Sequence, residues 1–176
     1  MIIIALGGNR PFQGRPPEIT LLKAIRALPE KGDVAVVARS GLWRSPAWPD
    51  PADPPYANAA ARIETSLAPE ALMTRLLEVE KAFGRDRAGE ARWSSRTLDL
   101  DLIDYDGRTA TGEHLTLPHP RAHKRAFVLA PVLDIAPEWS HPAHGRARSV
   151  LESLPGEARV GLSRLRLSPS QTHKRS

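Results

Sequence analysis

The segment Arg96-Thr97-Leu98-Asp99-Leu100-Asp101-Leu102 narrows the possible folds more than any other stretch of the chain. Leucine and aspartate alternate strictly, which is the period-2 pattern of a strand with one buried and one polar face. Leu98, Leu100 and Leu102 point into a core, and Asp99 and Asp101 point the other way with Cα atoms roughly 6.5–7 Å apart. Two like charges on a rigid strand repel each other. Hard divalent cations with oxygen ligands would compensate them, and two such ions would fit between these carboxylates and a polyphosphate. The pattern alone also describes an ordinary amphipathic strand with a solvated acidic face.

The neighbouring charges add to this. Upstream, Lys81, Arg85, Arg87, Arg92 and Arg96 outnumber Asp86 and Glu90; downstream, Asp99, Asp101, Asp104 and Asp106 have no intervening base. Guanidinium forks beside a carboxylate pair match what a triphosphate requires, while surface salt bridging between the two blocks is the alternative. Other chemistries are poorly served. Gly7-Gly8-Asn9 lacks Walker A spacing and suits a tight turn after a strand. No G-x-S-x-G elbow is present. His119, His123, His141 and His144 invite a metal reading, but His141-Pro142-Ala143-His144 lies in a Pro/Gly-rich loop, so no zinc site is expected there. Tyr56, Trp93 and Phe127 flank polar or basic residues and could stack on a flat heterocycle, or simply pack in the core.

Along the chain, Ile2 to Leu6 reads as a strand buried on both faces. Pro16-Pro17-Glu18 opens a helix that carries Leu21, Ile25 and Leu28 and stops at Pro29. Asp33–Ala38, Gly41–Arg44, Asn58–Thr65, Thr97–Tyr105 and Leu115–Leu117 are strand-like. Pro46 to Pro55 holds five prolines in ten residues and can only be a semi-rigid loop. Pro69-Glu70 starts a helix with Leu72, Leu76, Val79 and Phe83 on one face and Gly84 as its stop. A helical stretch is expected around Arg121 to Leu129, then Val132 to Ile135. Strands and helices mix without strict alternation, which predicts an α+β, ferredoxin-like layered fold.

The 176 residues suffice for one core without staples, and the absence of cysteine removes disulfides, thiolate metal sites and cysteine nucleophiles. The net charge of +5 suggests a nucleic-acid binder, but residues 159–176 carry Arg159, Arg164, Arg166, Lys174 and Arg175 with no acid. The remainder balances. We therefore expect a domain over 1–162 and a basic, disordered tail over 163–176. No apolar run is long enough for a membrane span, and the first residues read as a strand and not a signal peptide, so a soluble, cytoplasmic protein is expected.

Four segments, in order, resemble the 6-hydroxymethyl-7,8-dihydropterin pyrophosphokinase family. Arg92-Trp93-Ser94-Ser95-Arg96-Thr97-Leu98-Asp99-Leu100-Asp101 resembles its R-W-x-x-R-T-L-D-L-D signature, and Ala5-Leu6-Gly7-Gly8-Asn9 its A-L-G-S-N. Pro55-Tyr56-Ala57-Asn58-Ala59 resembles P-[DFY]-x-N-A. Leu115-Thr116-Leu117-Pro118-His119-Pro120-Arg121 and Arg125-Ala126-Phe127-Val128-Leu129 resemble L-x-[VIL]-P-H-P-R…R-x-F-V-L. Gly8 stands where the pattern has serine, and Ser95 where it usually has proline or alanine.

The resemblance implies a ferredoxin-like α/β sandwich, with a mostly antiparallel sheet covered by helices. It implies transfer of the β,γ-diphosphate of ATP to the hydroxymethyl group of 6-hydroxymethyl-7,8-dihydropterin, with release of AMP, in folate biosynthesis. Asp99 and Asp101 would coordinate two Mg2+ ions. Arg85 and Arg96 would be catalytic, and Glu80, Arg85, Arg87, Arg92, Trp93, Arg96, Leu102, Thr116, His119 and Arg125 would line the ATP site. Ser45, Pro46, Tyr56, Asn58, Trp93 and Phe127 would hold the pterin. Partners would be these small molecules, without membrane or specific nucleic acid. Two other readings compete: a different metal-dependent nucleotidyl or phosphoryl transferase, and an RNA-binding ferredoxin-like module. The second would need aromatics on the strand face where Asp99 and Asp101 stand, and these would repel phosphate unless metal is bound.

Overall fold

The computed structural model describes residues 1–48, 50–85, 95–112 and 115–166. At its centre is β1 (Ile2–Gly8), an apolar strand buried on both faces. Two shorter strands follow, β2 (Val34–Arg39) and β3 (Leu42–Ser45), then the long β4 (Tyr56–Thr65) and the acidic β5 (Asp99–Tyr105). β1 pairs with β4 on one side and β5 on the other, while β2 and β3 pair with successive halves of β4. Every pairing in this sheet is antiparallel. Short hairpins form from β6 (Ala110–Thr111) with β7 (Thr116–Leu117), and from β8 (Ser140–His141) with β9 (Gly145–Arg146).

One face of the sheet is covered by α1 (Pro17–Ala27) and α2 (Pro69–Ala82), the other by α3 (Ala126–Ile135) and α4 (Ala147–Ser153). This is the expected α+β, ferredoxin-like arrangement. Both α1 and α2 begin with proline in the first turn and an acid beside the positive helix end. The predicted stripe of α2 is buried at Leu72, Leu76 and Val79, and Phe83 packs partly buried beyond them against Phe12. Gly84 stops the helix at φ +79°, where a Cβ would stand 2.5 Å from the Phe12 ring. No helix among the described residues is long and apolar enough to cross a membrane.

Three features differ from the sequence reading. First, α3 runs unbroken through Pro131, whose flanks Ala130 and Val132 are buried against the sheet. The packing of this strongly apolar helix outweighs the one backbone hydrogen bond that proline removes. The residues before it, Ala122–Lys124, form a 3₁₀ turn and not a continuation of the helix. Second, β5 is irregular: the register with β1 shifts between Ile3 and Ile4. The shift turns Asp104 to the α3 side, where it is buried and accepts from Trp139 Nε1 (2.8 Å) and the Gly107 N–H (3.0 Å), further along the strand from Asp99 and Asp101. Third, the expected boundary at residue 162 cuts through ordered structure. β10 (Ser163–Leu165) pairs antiparallel with β3, and Arg164 reaches the Asp134 carboxylate.

Candidate active site

Side chains alternate across β5, so Leu98, Leu100 and Leu102 enter the core beneath α1 and α2 while Asp99 and Asp101 face the α3 side. Across from them in register are Gly7 and Ala5 of β1, and beyond those Asn58 and Ala60 of β4. These small residues leave the sheet uncovered near the start of α3. The result is a cavity of about 300 Å³, whose lining includes Gly7, Ser45, Pro46, Trp48, Tyr56, Asn58 and Phe127. Asp99, Asp101, Arg96, Arg121, Lys124 and Arg125 line it as well.

The two aspartates differ. Among the described residues Asp99 is gripped by two guanidiniums: Arg85 Nη1 donates to Oδ1 at 2.6 Å and Arg96 Nη1 to Oδ2 at 2.7 Å. Arg85, itself buried, also donates to the Leu98 carbonyl at 3.0 Å, which fixes its fork against the strand. Among the described residues Asp101 has only distant partners, Arg125 Nη1 at 3.4 Å and His119 Nε2 at 3.7 Å. Burial and then the Asp99 carboxylate push its pKa above the usual carboxylate value, with His119, Arg125 and Arg96 opposing. His119 is shifted down by burial, against the pull of Asp101. A carboxylate that resists ionising beside another is one that a cation would relieve. Oxygen donors on alternate positions of one strand face fit a hard divalent ion. Arg96 Nε is buried with no hydrogen-bond partner among the described residues, so this guanidinium has donor capacity left for an anion.

At the other end, Asn58 is buried and donates through Nδ2 to Ser45 Oγ (3.0 Å) and the Tyr56 carbonyl (3.4 Å). Its Oδ1 is turned towards Gly7, where a Cβ would stand 3.6 Å away. Burial raises the Tyr56 pKa, so the phenol stays neutral. Arg125 lies over the Phe127 ring, 5.6 Å from its centroid. This end offers two rings and an amide acceptor, and the other end offers charge.

Ser45, Pro46, Tyr56, Asn58, Arg96, Asp99, Asp101, Arg125 and Phe127 thus come together around one cavity. Arg85 and His119 reach its carboxylates. Three residues expected at the ATP site are not among those that line this cavity. Leu102 is in the core under α1 and α2. Thr116 sits in the β6–β7 hairpin. Glu80 is buried between α2 and β5, where Oε1 accepts from the Leu100 N–H at 2.7 Å and lies 4.0 Å from Arg85; it positions the strand and the arginine. Arg87, Arg92 and Trp93 lie outside the described residues. Sequence reasoning gave no role to Arg121, Lys124 or Trp48, and none to Asn9. Asn9 is buried and ties three segments together, donating to the Pro54 carbonyl (3.0 Å) and Ser95 Oγ (3.1 Å) and accepting from the Arg96 N–H (2.8 Å). Its only signal was its place after Gly7-Gly8, where a buried amide can clamp a turn.

Residues 3–137 match the sequence pattern of the family described as 7,8-dihydro-6-hydroxymethylpterin-pyrophosphokinase (HPPK). A 2-amino-4-hydroxy-6-hydroxymethyldihydropteridine pyrophosphokinase of Synechocystis is 39% identical over 150 residues, which cover 82% of this chain and 70% of the relative. The enzyme of the same name from Pseudomonas aeruginosa is 36% identical over 165 residues, covering 93% and 96% of the two chains. Among solved structures, Plasmodium falciparum HPPK-DHPS crystallised with pteroate superposes with a TM-score of 0.63 at 10% identity. The overlap covers 86% of this chain but only 43% of that longer one.

Proposed function

The chain belongs to the 7,8-dihydro-6-hydroxymethylpterin-pyrophosphokinase family; its reaction is diphosphate transfer to hydroxymethyldihydropterin in folate biosynthesis, and we propose that ATP is the donor. In that reaction the hydroxymethyl oxygen bonds to the β-phosphorus, the bond from that phosphorus to the α–β bridging oxygen breaks, AMP departs and the hydroxyl proton is released. The observation that carries this reading is the two-ended cavity, with rings and an amide at one end and a carboxylate pair among guanidiniums at the other.

Each end has a job under this reading. Tyr56 and Phe127 bracket the flat pterin, and Asn58 Oδ1 accepts from an N–H on its edge, while Ser45 holds the amide in that orientation. Pro46 closes the rim. Arg96, Arg121, Lys124 and Arg125 attract and align the polyphosphate, so the hydroxymethyl oxygen and the β-phosphorus meet in line. Arg85 sits behind Asp99 and fixes that carboxylate in place. Asp99 and Asp101 would hold Mg2+, which when bound neutralises phosphate charge as it shifts towards the leaving AMP. Two such ions would fit between this carboxylate pair and the triphosphate. Arg87, Arg92 and Trp93 would contribute to binding ATP, and Trp93 to binding the pterin as well. The small, water-soluble substrates suit a cytoplasmic enzyme.

Incubation with ATP, Mg2+ and 6-hydroxymethyl-7,8-dihydropterin should release AMP in equal amount to a diphosphorylated pterin. Formation of ADP and a monophosphorylated pterin would overturn the reading, as would the absence of any pterin product. Omitting Mg2+ should abolish the reaction; full turnover in chelator would remove the metal from the proposal.

A further inference from the structure

The histidines that sequence reasoning set aside are brought together by the fold. His123 lies in the 3₁₀ turn ahead of α3, and His141 and His144 lie on the β8–β9 hairpin. Ring centroids are 3.8 Å apart for His123 and His144, 4.6 Å for His141 and His144, and 5.4 Å for His123 and His141. One ring nitrogen from each lies within 4.8 Å of the other two. His141 is 4% exposed, and its Nε2 is buried without a hydrogen-bond partner; so is Nδ1 of His123. Buried polar atoms are nearly always paired, and two orphaned imidazole nitrogens in one small cluster need an explanation.

We propose that His123, His141 and His144 form a binding site for a Zn2+-class transition-metal ion, with water as the fourth ligand. Three neutral imidazoles suit a borderline ion of tetrahedral preference and are poor ligands for Mg2+, which demands oxygen. Burial and the neighbouring rings push His123 and His141 below the usual imidazole pKa, so their lone pairs are available at neutral pH. The nearest carboxylate to act on His141, that of Asp104, is already committed to Trp139 and Gly107 and does not compete as a ligand. One rearrangement is required. His141 Nδ1 accepts from the Ala143 N–H at 3.2 Å, and ligation through Nε2 moves the ring proton to Nδ1. Ala143 is exposed, so its N–H passes to water at small cost, and the exposed His144 ring is free to turn.

Such an ion would pin the 3₁₀ turn to the hairpin. Lys124 and Arg125 follow His123 directly and line the cavity, so the basic wall of the site would be stiffened from behind. The metal site itself depends on no assumption about the reaction.

Tag-free protein stripped with chelator would be titrated with Co2+, whose visible absorption reports tetrahedral coordination, and then with Zn2+. One equivalent of Co2+ should develop the band, and Zn2+ should abolish it and raise the melting temperature. His144→Ala, at an exposed position, should weaken Co2+ binding at least tenfold and remove the Zn2+-dependent rise in melting temperature. Asp101→Asn should leave both signals unchanged, which separates this site from the carboxylates beside His119. No band in the wild-type protein, a band that survives His144→Ala, or one lost in Asp101→Asn would overturn the assignment.

Discussion

On the face covered by α1 and α2, the central strands β1 and β5 present Ile2, Ile4, Leu6, Leu98, Leu100 and Leu102, each 6% exposed or less. On the opposite face the same strands bury Ile3 and Ile103 under α3 and α4 at one end, and at the other present Ala5, Gly7, Asp99 and Asp101. The backbone is shared, and the pleat alone sorts the two sets. Large aliphatic side chains fill the space under the helices on the first face. Small ones leave a cavity open on the second, and charges survive there because arginines answer them. At this end of the sheet one face is packed and the other carries the chemistry, and substitutions on adjacent residues of β5 should separate the two.

The largest effect is expected from Asp101→Asn. The carboxylate that would hold the metal is lost, and the rate of AMP release should fall by three orders of magnitude or more, about 4 kcal/mol of transition-state stabilisation. The melting temperature should hold or rise, because burial and Asp99 already disfavour the charge at this position. Asp99→Asn should cost comparable activity and stability as well, since it weakens the anchor of the buried Arg85. Wild-type rates in either variant would break the division of labour across the sheet. One position away, Leu100→Ala should do the reverse. It opens a void in the aliphatic core and should cost about 2–5 kcal/mol in denaturant unfolding. Turnover per folded molecule should change less than threefold.

Much of this was legible because it rests on period. The alternation of β5 and the 3.6-residue stripe of α2 depend on local sequence, and both aspartates point where the alternation sends them. The salt-bridge alternative for the upstream arginines is also present, since Arg85 and Arg96 do pair with Asp99; Arg96 lines the cavity as well, and Arg85 stands behind the carboxylate. What stayed hidden depends on partners distant in sequence. Nothing local to Asp104 announces Trp139, and nothing local to His123 announces His141 and His144. Glu80 reads as one more helix acid until the Leu100 N–H is found beneath it. Pro131 looks like a helix end because proline's cost is local, whereas the burial that offsets it is tertiary.

Gly8 allows a finer test at the edge of the two faces. A Cβ there would stand 2.6 Å from the Thr97 carbonyl oxygen, a backbone atom held in place while the Asn9 and Arg10 N–H groups both donate to the Arg96 carbonyl. Gly8→Ser restores the serine of the family pattern, yet in this chain it should force the two segments apart. A loss of about 1–3 kcal/mol is expected, typical of overpacking, together with a lower rate because Arg96 shifts with its backbone. An unchanged melting temperature would mean that the approach of Thr97 to Gly8 is easily relaxed.

The smallest effect concerns the chain's last described strand. From composition alone, cutting after Leu162 should leave the enzyme untouched, because the motif residues lie earlier and the removed segment is polar and basic. The fold argues for a small but specific loss. β10 pairs with β3, Arg164 holds Asp134, and Asp134 in turn accepts from Trp43 Nε1 at 2.9 Å and the Gly41 N–H at 3.2 Å. Gly161 abuts Pro46, and β3 ends in Ser45, which holds the Asn58 amide. Removing β10 therefore loosens the support of the rim at the ring-binding end and leaves the carboxylates and their arginines alone. The Michaelis constant for the pterin should rise several-fold while kcat and the constant for ATP stay near their original values. Cutting after Arg166 preserves every described contact and should change neither constant. Assays at low and at physiological ionic strength would separate this from long-range attraction by the lost charges, which salt screens. A loss confined to ATP, or one that disappears in salt, would assign β10 an electrostatic role in place of a supporting one.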